Sequence, residues 1–142
     1  MTDPLAPDQF EVIANNIPTL CWLADATGSI YWYNEQWYIY TGTTADEMAG
    51  WGWRSVHHPA TLGDVMLRWI DCIATGDPFE MIFPLRGADS VYRPFLTRVR
   101  PVMNGKHVRS WFGVNLEISA VMDAPAFHVE WKRLAAKMNA AP

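Results

Sequence analysis

Between Phe79 and Ile118 the chain reads as three strand-like runs, Phe79–Leu85, Tyr92–Met103 and His107–Ile118. Only short polar connections separate them: Gly87-Ala88-Asp89-Ser90 and Asn104-Gly105. Connections this short join antiparallel neighbours, because a parallel crossover needs a dozen or more residues, and Asn-Gly is a strong hairpin signal. An earlier pair of runs, Thr19–Asp25 and Ser29–Tyr33, is joined by the turn Asp25-Ala26-Thr27-Gly28 and forms a second hairpin. A hairpin and a three-strand meander in one short chain imply a single five-stranded antiparallel sheet.

The stretches around and between these runs read as helices. Asp8 and Glu11 make a cap-like pair ahead of Phe10, Ile13, Ala14 and Ile17 at helical spacing, and Pro18 ends that helix. Asn34 can cap a short helix carrying Trp37, Tyr38 and Tyr40 that stops at Gly42, and Thr44 with Glu47 is a capping box. Thr61 with Asp64 opens the longest helix. Its apolar stripe is Leu62, Val65, Met66, Trp69, Ile70 and Ile73, and Gly76-Asp77-Pro78 terminates it. A last helix follows Asp123, with Phe127, Trp131, Leu134, Ala135 and Met138 along one face.

Composition narrows the function. Eleven basic against fifteen acidic side chains, with no basic cluster, disfavour a nucleic-acid partner. No apolar window is long enough to insert in a membrane, and the acidic, proline-bearing first residues do not read as a signal peptide, so a cytoplasmic protein is expected. Cys21 and Cys72 have no metal-ligand or redox spacing and read as buried reduced thiols. Ser55 near His57 and His58 lacks a nucleophile elbow and a third group, so no catalytic residues are assigned. The adjacent histidines are weak metal ligands; no metal site is expected, and His58 reads as a brace before the long helix. No glycine-rich phosphate loop and no kinase sequence is present.

The element order, with Asp25-x-x-Gly28-x-Ile30-x-Trp32-x-Asn34, Trp37 with Tyr40-Thr41-Gly42, Gly50-Trp51-Gly52-Trp53 and His58-Pro59, resembles a PAS domain of the bacterial sensory type. Asp89 with Tyr92-Arg93, Arg98-x-x-Pro101-Val102 and Trp111-x-Gly113 continue the series in order, over roughly residues 9–120. The chain departs from the family pattern at Ala60-Thr61, Ser90, Pro94 and Glu117-Ile118-Ser119, and Pro84 marks its strand as an edge or a bulge. The resemblance implies an α+β fold: a five-stranded antiparallel sheet, short helices and one longer helix on one face, and terminal helices. It divides the chain into a tail at 1–8, a PAS domain at 9–120 and a C-terminal helix at 121–142. It also implies a sensory or signalling role, as the input module of a two-component or similar system with a kinase or other signalling protein as partner. The alternative is a ligand-free dimerisation module with a solid aromatic core. Blue-light members carry a reactive cysteine before the long helix, and haem members commonly a histidine on it. Both positions are empty here, so no covalent flavin and no haem are expected, and the cofactor, if any, is unknown.

Strand parity supplies the site candidates. With Trp111 and Asn115 facing the helices, the inner face adds Phe95, Thr97 and Val99, and the first hairpin adds Trp22, Ala24, Ile30 and Trp32. Trp53 joins them from the segment before the long helix. A few polar groups in an aromatic cavity suit a small-molecule ligand. The opposite parity, Cys21, Leu23, Phe112, Val114 and Leu116, is too apolar to face water. These residues, with Phe127 and Trp131 of the C-terminal helix, are the expected interface of a homodimer.

Overall fold

The computed structural model of the protein describes residues 7–121 and 125–140; the side chains of residues 7–10, 126 and 127 lie outside that description. The expected Phe10 and Phe127 contacts, and most of the tail at 1–8, therefore fall outside the described residues. The sheet is formed by β1 (Leu20–Asp25), β2 (Ile30–Tyr33), β3 (Phe79–Arg86), β4 (Tyr92–Asn104) and β5 (His107–Glu117). All neighbours are antiparallel, in the order β2-β1-β5-β4-β3. The hairpin and the meander thus join through β1 and β5, and the sheet is the five-stranded one the short connections imply. The β4–β5 turn is one residue later than Asn104-Gly105: Asn104 pairs with His107, leaving Gly105 and Lys106 as the loop. Gly105 has φ +64° and Lys106 stays out of the left-handed region, the arrangement of a II′ turn.

Helix α1 (Pro7–Asn15) precedes the sheet, and α2 (Glu35–Thr41), α3 (Ala45–Met48), a 3₁₀ turn (Gly52–Val56) and α4 (Pro59–Thr75) occupy the insertion between β2 and β3. Asn34 caps α2 through its side chain and Gly42 closes it, while Thr44 and Glu47 form the reciprocal capping box of α3. Two details of α4 differ from the sequence reading. It starts at Pro59, not Thr61, because His58 is the cap: its Nδ1 accepts from the Ala60 backbone N–H at 3.0 Å, and proline at the first position has no donor to lose. Its buried face is Thr61, Val65, Trp69 and Cys72, which leaves Ile70 53% exposed. Leu62, Met66 and Ile73 of the expected stripe remain partly buried against the core.

The register sorts the sheet into two faces. Leu20, Trp22 and Ala24 lie opposite Asn115, Gly113 and Trp111, and Thr97 and Val99 continue the same face onto β4. On the other face Leu23 pairs with Phe112, and Cys21 with Val114, which in turn opposes Arg98. Trp32 is a correction. A register shift in the first hairpin pairs Ala24 with Ile30 but Leu23 with Trp32, so Tyr31 is the extra residue of a bulge. The bulge inverts the parity after it, placing Trp32 on the outer face and turning Tyr33 inward. Pro84 does sit on an edge strand, directly opposite Pro94, where neither strand has a donor to lose.

Helix α5 (Pro125–Ala140) packs against α4 and the edge strand β3. Leu134 is buried and Lys137 pairs with Asp64 of α4. Within one chain this helix makes its main contacts with α4 and β3. Trp131 is half-buried on it.

Candidate functional site: an aromatic cavity

The inner face of the sheet and the helical insertion enclose a cavity lined by Trp22, Ile30, Trp37, Trp53, His57, Val65, Trp69, Phe79, Phe83, Thr97, Val99 and Asn115. Of the residues expected there, Trp22, Ile30, Trp53, Thr97, Val99 and Asn115 line it. Ala24, Phe95 and Trp111 are wholly buried beside it without lining it, and Trp32 lies on the other face. Phe79 and Phe83, which were not expected there, also line it; they oppose Val99 and Phe95 across β3 and β4. So do Trp37, Val65 and Trp69, which the sequence assigns to helices only, and His57. For the phenylalanines the signal was available, since extending the chosen parity across one more strand selects both.

The walls are indoles set edge to face. Trp69 lies centrally, 5.1 Å from Trp111, 5.9 Å from Trp22 and 6.0 Å from Phe79, at steep interplanar angles. One polar cluster crosses the floor. The Trp22 indole N–H donates to Asn115 Oδ1 at 2.9 Å, and Asn115 Nδ2 donates to Thr97 Oγ1 at 2.6 Å. Strands β1, β5 and β4 are thereby stitched side chain to side chain, and the cluster satisfies itself.

Three other lining residues differ. Trp37 Nε1, Trp53 Nε1 and His57 Nδ1 are buried without a hydrogen-bond partner, as is the nearby Tyr33 hydroxyl. His57 follows the 3₁₀ turn, pairs through its backbone with Leu85, and sits between the rings of Trp53 at 5.2 Å and Phe83 at 4.8 Å. Burial among them pushes its pKa down to about 3, so the imidazole is neutral. The cavity has a volume of about 30 Å³, room for one or two water molecules.

Other chemistry is sparse. Cys21 and Cys72 are free and buried, and burial raises the Cys21 thiol to about 11, far from a reactive thiolate. Among the described residues no group of three or more His, Cys, Asp or Glu side chains is placed to hold a metal ion.

The profile of the PAS fold family matches residues 29–115, which takes in four of the five strands and the whole helical insertion up to Asn115. The chain belongs to the PAS fold family. A curated protein of Sinorhizobium fredii, "Uncharacterized protein y4lL", is 33% identical over 98 residues, covering 68% of this chain and 12% of that protein. This PAS chain therefore spans about an eighth of the length of that relative. Solved structures carry the same fold at lower identity. An RNA-binding Light-Oxygen-Voltage receptor aligns over 96% of this chain and 41% of its own, with TM-score 0.66 and 19% identity. The PAS domain of the Cronobacter turicensis quorum-sensing receptor RpfR, solved in complex with C12:0, aligns over 73% of this chain and 97% of its own, with TM-score 0.61 and 18% identity. PAS domains are a general sensory module of signalling proteins, and no helix among the described residues is long and apolar enough to cross a membrane.

Proposed function

We propose that this PAS domain is a cytoplasmic, non-catalytic sensory module that binds a small molecule in the aromatic cavity and passes the change on through dimerisation or partner contacts. The observation that carries it is that three of the lining residues, Trp37, Trp53 and His57, each hold a buried ring nitrogen with no hydrogen-bond partner among the described residues. Buried polar groups are ordinarily satisfied, and such groups cost stability when they are not. In this reading the relay runs through Arg93. Arg93 holds Asp89 at 2.5 Å, lies over the ring of Tyr40 and reaches Glu117 at 3.7 Å, where β5 gives way to the C-terminal segment. Residues 9–120 are then the sensing unit and residues 121–142 its output helix. In this reading the domain serves as the input module of a two-component or similar system; the curated relative it matches is a much longer protein.

A second reading, a ligand-free dimerisation module, draws on the small cavity: 30 Å³ is far below a drug-sized pocket. Native mass spectrometry of the freshly purified protein separates the two. The sensor reading expects a discrete small-molecule adduct that is lost on denaturation. Bare protein from every expression medium supports the packed module instead.

A further inference from the structure

We propose that the cavity's ligand is a compact, uncharged molecule whose polar atoms are hydrogen-bond acceptors, such as amide or ketone oxygens, seated on the indole N–H groups of Trp37 and Trp53. This rests on the small-molecule reading above and names the class of ligand. An indole nitrogen can only donate, so the two unsatisfied tryptophans ask for acceptors and nothing else. The competing polar groups are already engaged: Trp22, Asn115 and Thr97 bond one another. What remains among the lining residues is two unpartnered donors in aromatic surroundings.

Charge is excluded by what lines the cavity. No Lys, Arg, Asp or Glu is among the lining residues, and His57 is neutral. A carboxylate would be buried with no counter-charge, which is costly even with two N–H donors. A cation would find aromatic faces to lie on but would leave both indole donors unpaired. The limited space sets the size, since every added atom must displace a packed ring. His57 Nδ1 can accept or donate according to its tautomer, so it accommodates a second polar atom of either kind.

The test follows the eight indole N–H resonances of the protein in ¹⁵N-labelled form during titration with four probes: acetamide, acetate, tetramethylammonium and xenon. The expected result is saturable shifts of the Trp37 and Trp53 signals with acetamide, at least tenfold tighter than with acetate or tetramethylammonium. Trp53→Phe and Trp37→Phe should each weaken acetamide about threefold or more, as the loss of one hydrogen bond implies. Tighter binding of acetate or tetramethylammonium, or xenon entering where acetamide does not, overturns the ligand class while leaving a small-molecule cavity in place. If none of the four moves any indole signal, the cavity is closed and the small-molecule reading falls with the proposal.

Discussion

The indole of Trp22 lies across Gly113, its register partner on the neighbouring strand. A methyl group added at Gly113 would sit 2.2 Å from Cε2 and Cζ2 of the ring. The glycine is needed for space, not for backbone freedom, since its φ is ordinary. This close approach lets the ring lie flat enough for its N–H to reach Asn115.

Gly113→Ala should therefore push the indole off the strand and break that bond. Overpacking and a lost buried hydrogen bond together predict a loss of about 2–4 kcal/mol. Urea denaturation measures it; a loss under about 0.5 kcal/mol would show that the ring yields freely.

Trp69→Ala removes the ring on which Trp22, Phe79 and Trp111 converge. The expected cost is about 3–5 kcal/mol, that of other buried large-to-small changes. A cost under about 1 kcal/mol would place the side chain on the surface.

Asn34 joins three elements through one amide. Its Oδ1 accepts from the Cys21 and Trp37 backbone N–H groups, and its Nδ2 donates to the carbonyls of Ala14 and Thr19. Asn34→Ala should cost about 3 kcal/mol or more, since it strands several backbone groups at once. Asn34→Asp should be no milder, because a carboxylate keeps the two acceptances, loses both donations and buries a charge. Equal stability of Asn34→Asp and the parent would contradict this.

Much of this architecture is legible in the chain itself, because local chemistry and global fold agree. The Asn34 cap, the Thr44 capping box, the Gly76 stop and the strand runs each use a residue suited to one local task. Legibility fails where tertiary geometry overrides local pattern. The bulge at Tyr31 reverses the parity of Trp32 and nothing in the apolar run announces it. On α4, Thr61 and Cys72 are buried while Ile70 is exposed, a choice made by packing and not by the apolar stripe. The site was half visible for the same reason: strand parity selects Trp22, Thr97 and Asn115, but Trp37 and His57 come from the insertion, whose fold over the sheet no periodicity encodes.

The neutral state of His57 makes stability depend on pH. Its folded pKa is held down to about 3 by burial, against about 6.5 in the unfolded chain. Above 6.5 neither state takes the proton and the full stability is present. As pH falls from 6.5 toward 3 only the unfolded chain is protonated, so stability declines by up to about 1.4 kcal/mol per unit. His57→Phe, which keeps the ring against Trp53 and Phe83, should flatten the decline between pH 6.5 and 5 in chemical denaturation. An identical slope in the two proteins would place the proton elsewhere.

The outer face of the sheet leaves an apolar patch uncovered. Cys21 is already buried there, but Leu23, Phe112 and Val114 are only half-covered and Leu116 is 49% exposed. Leu96, Phe112, Val114 and Leu116 floor a shallow depression with Arg98 and Arg100 beside them. Helix α5 packs on α4 and β3, which leaves this patch for a second copy of the chain in the proposed homodimer. Val114 and Leu116 flank Asn115 on one strand, so movement of the polar cluster inside reaches the patch outside within a single residue. Val114→Asp with Leu116→Asp should abolish association while leaving the fold intact, because Arg98 lies directly opposite position 114 and offers the new carboxylate a partner. Size-exclusion chromatography with light scattering should give a dimer for the parent and a monomer for the double variant, with melting temperatures within a few degrees. A monomeric parent, or a double variant that remains dimeric, would remove the outer face as the route by which the signal leaves the domain.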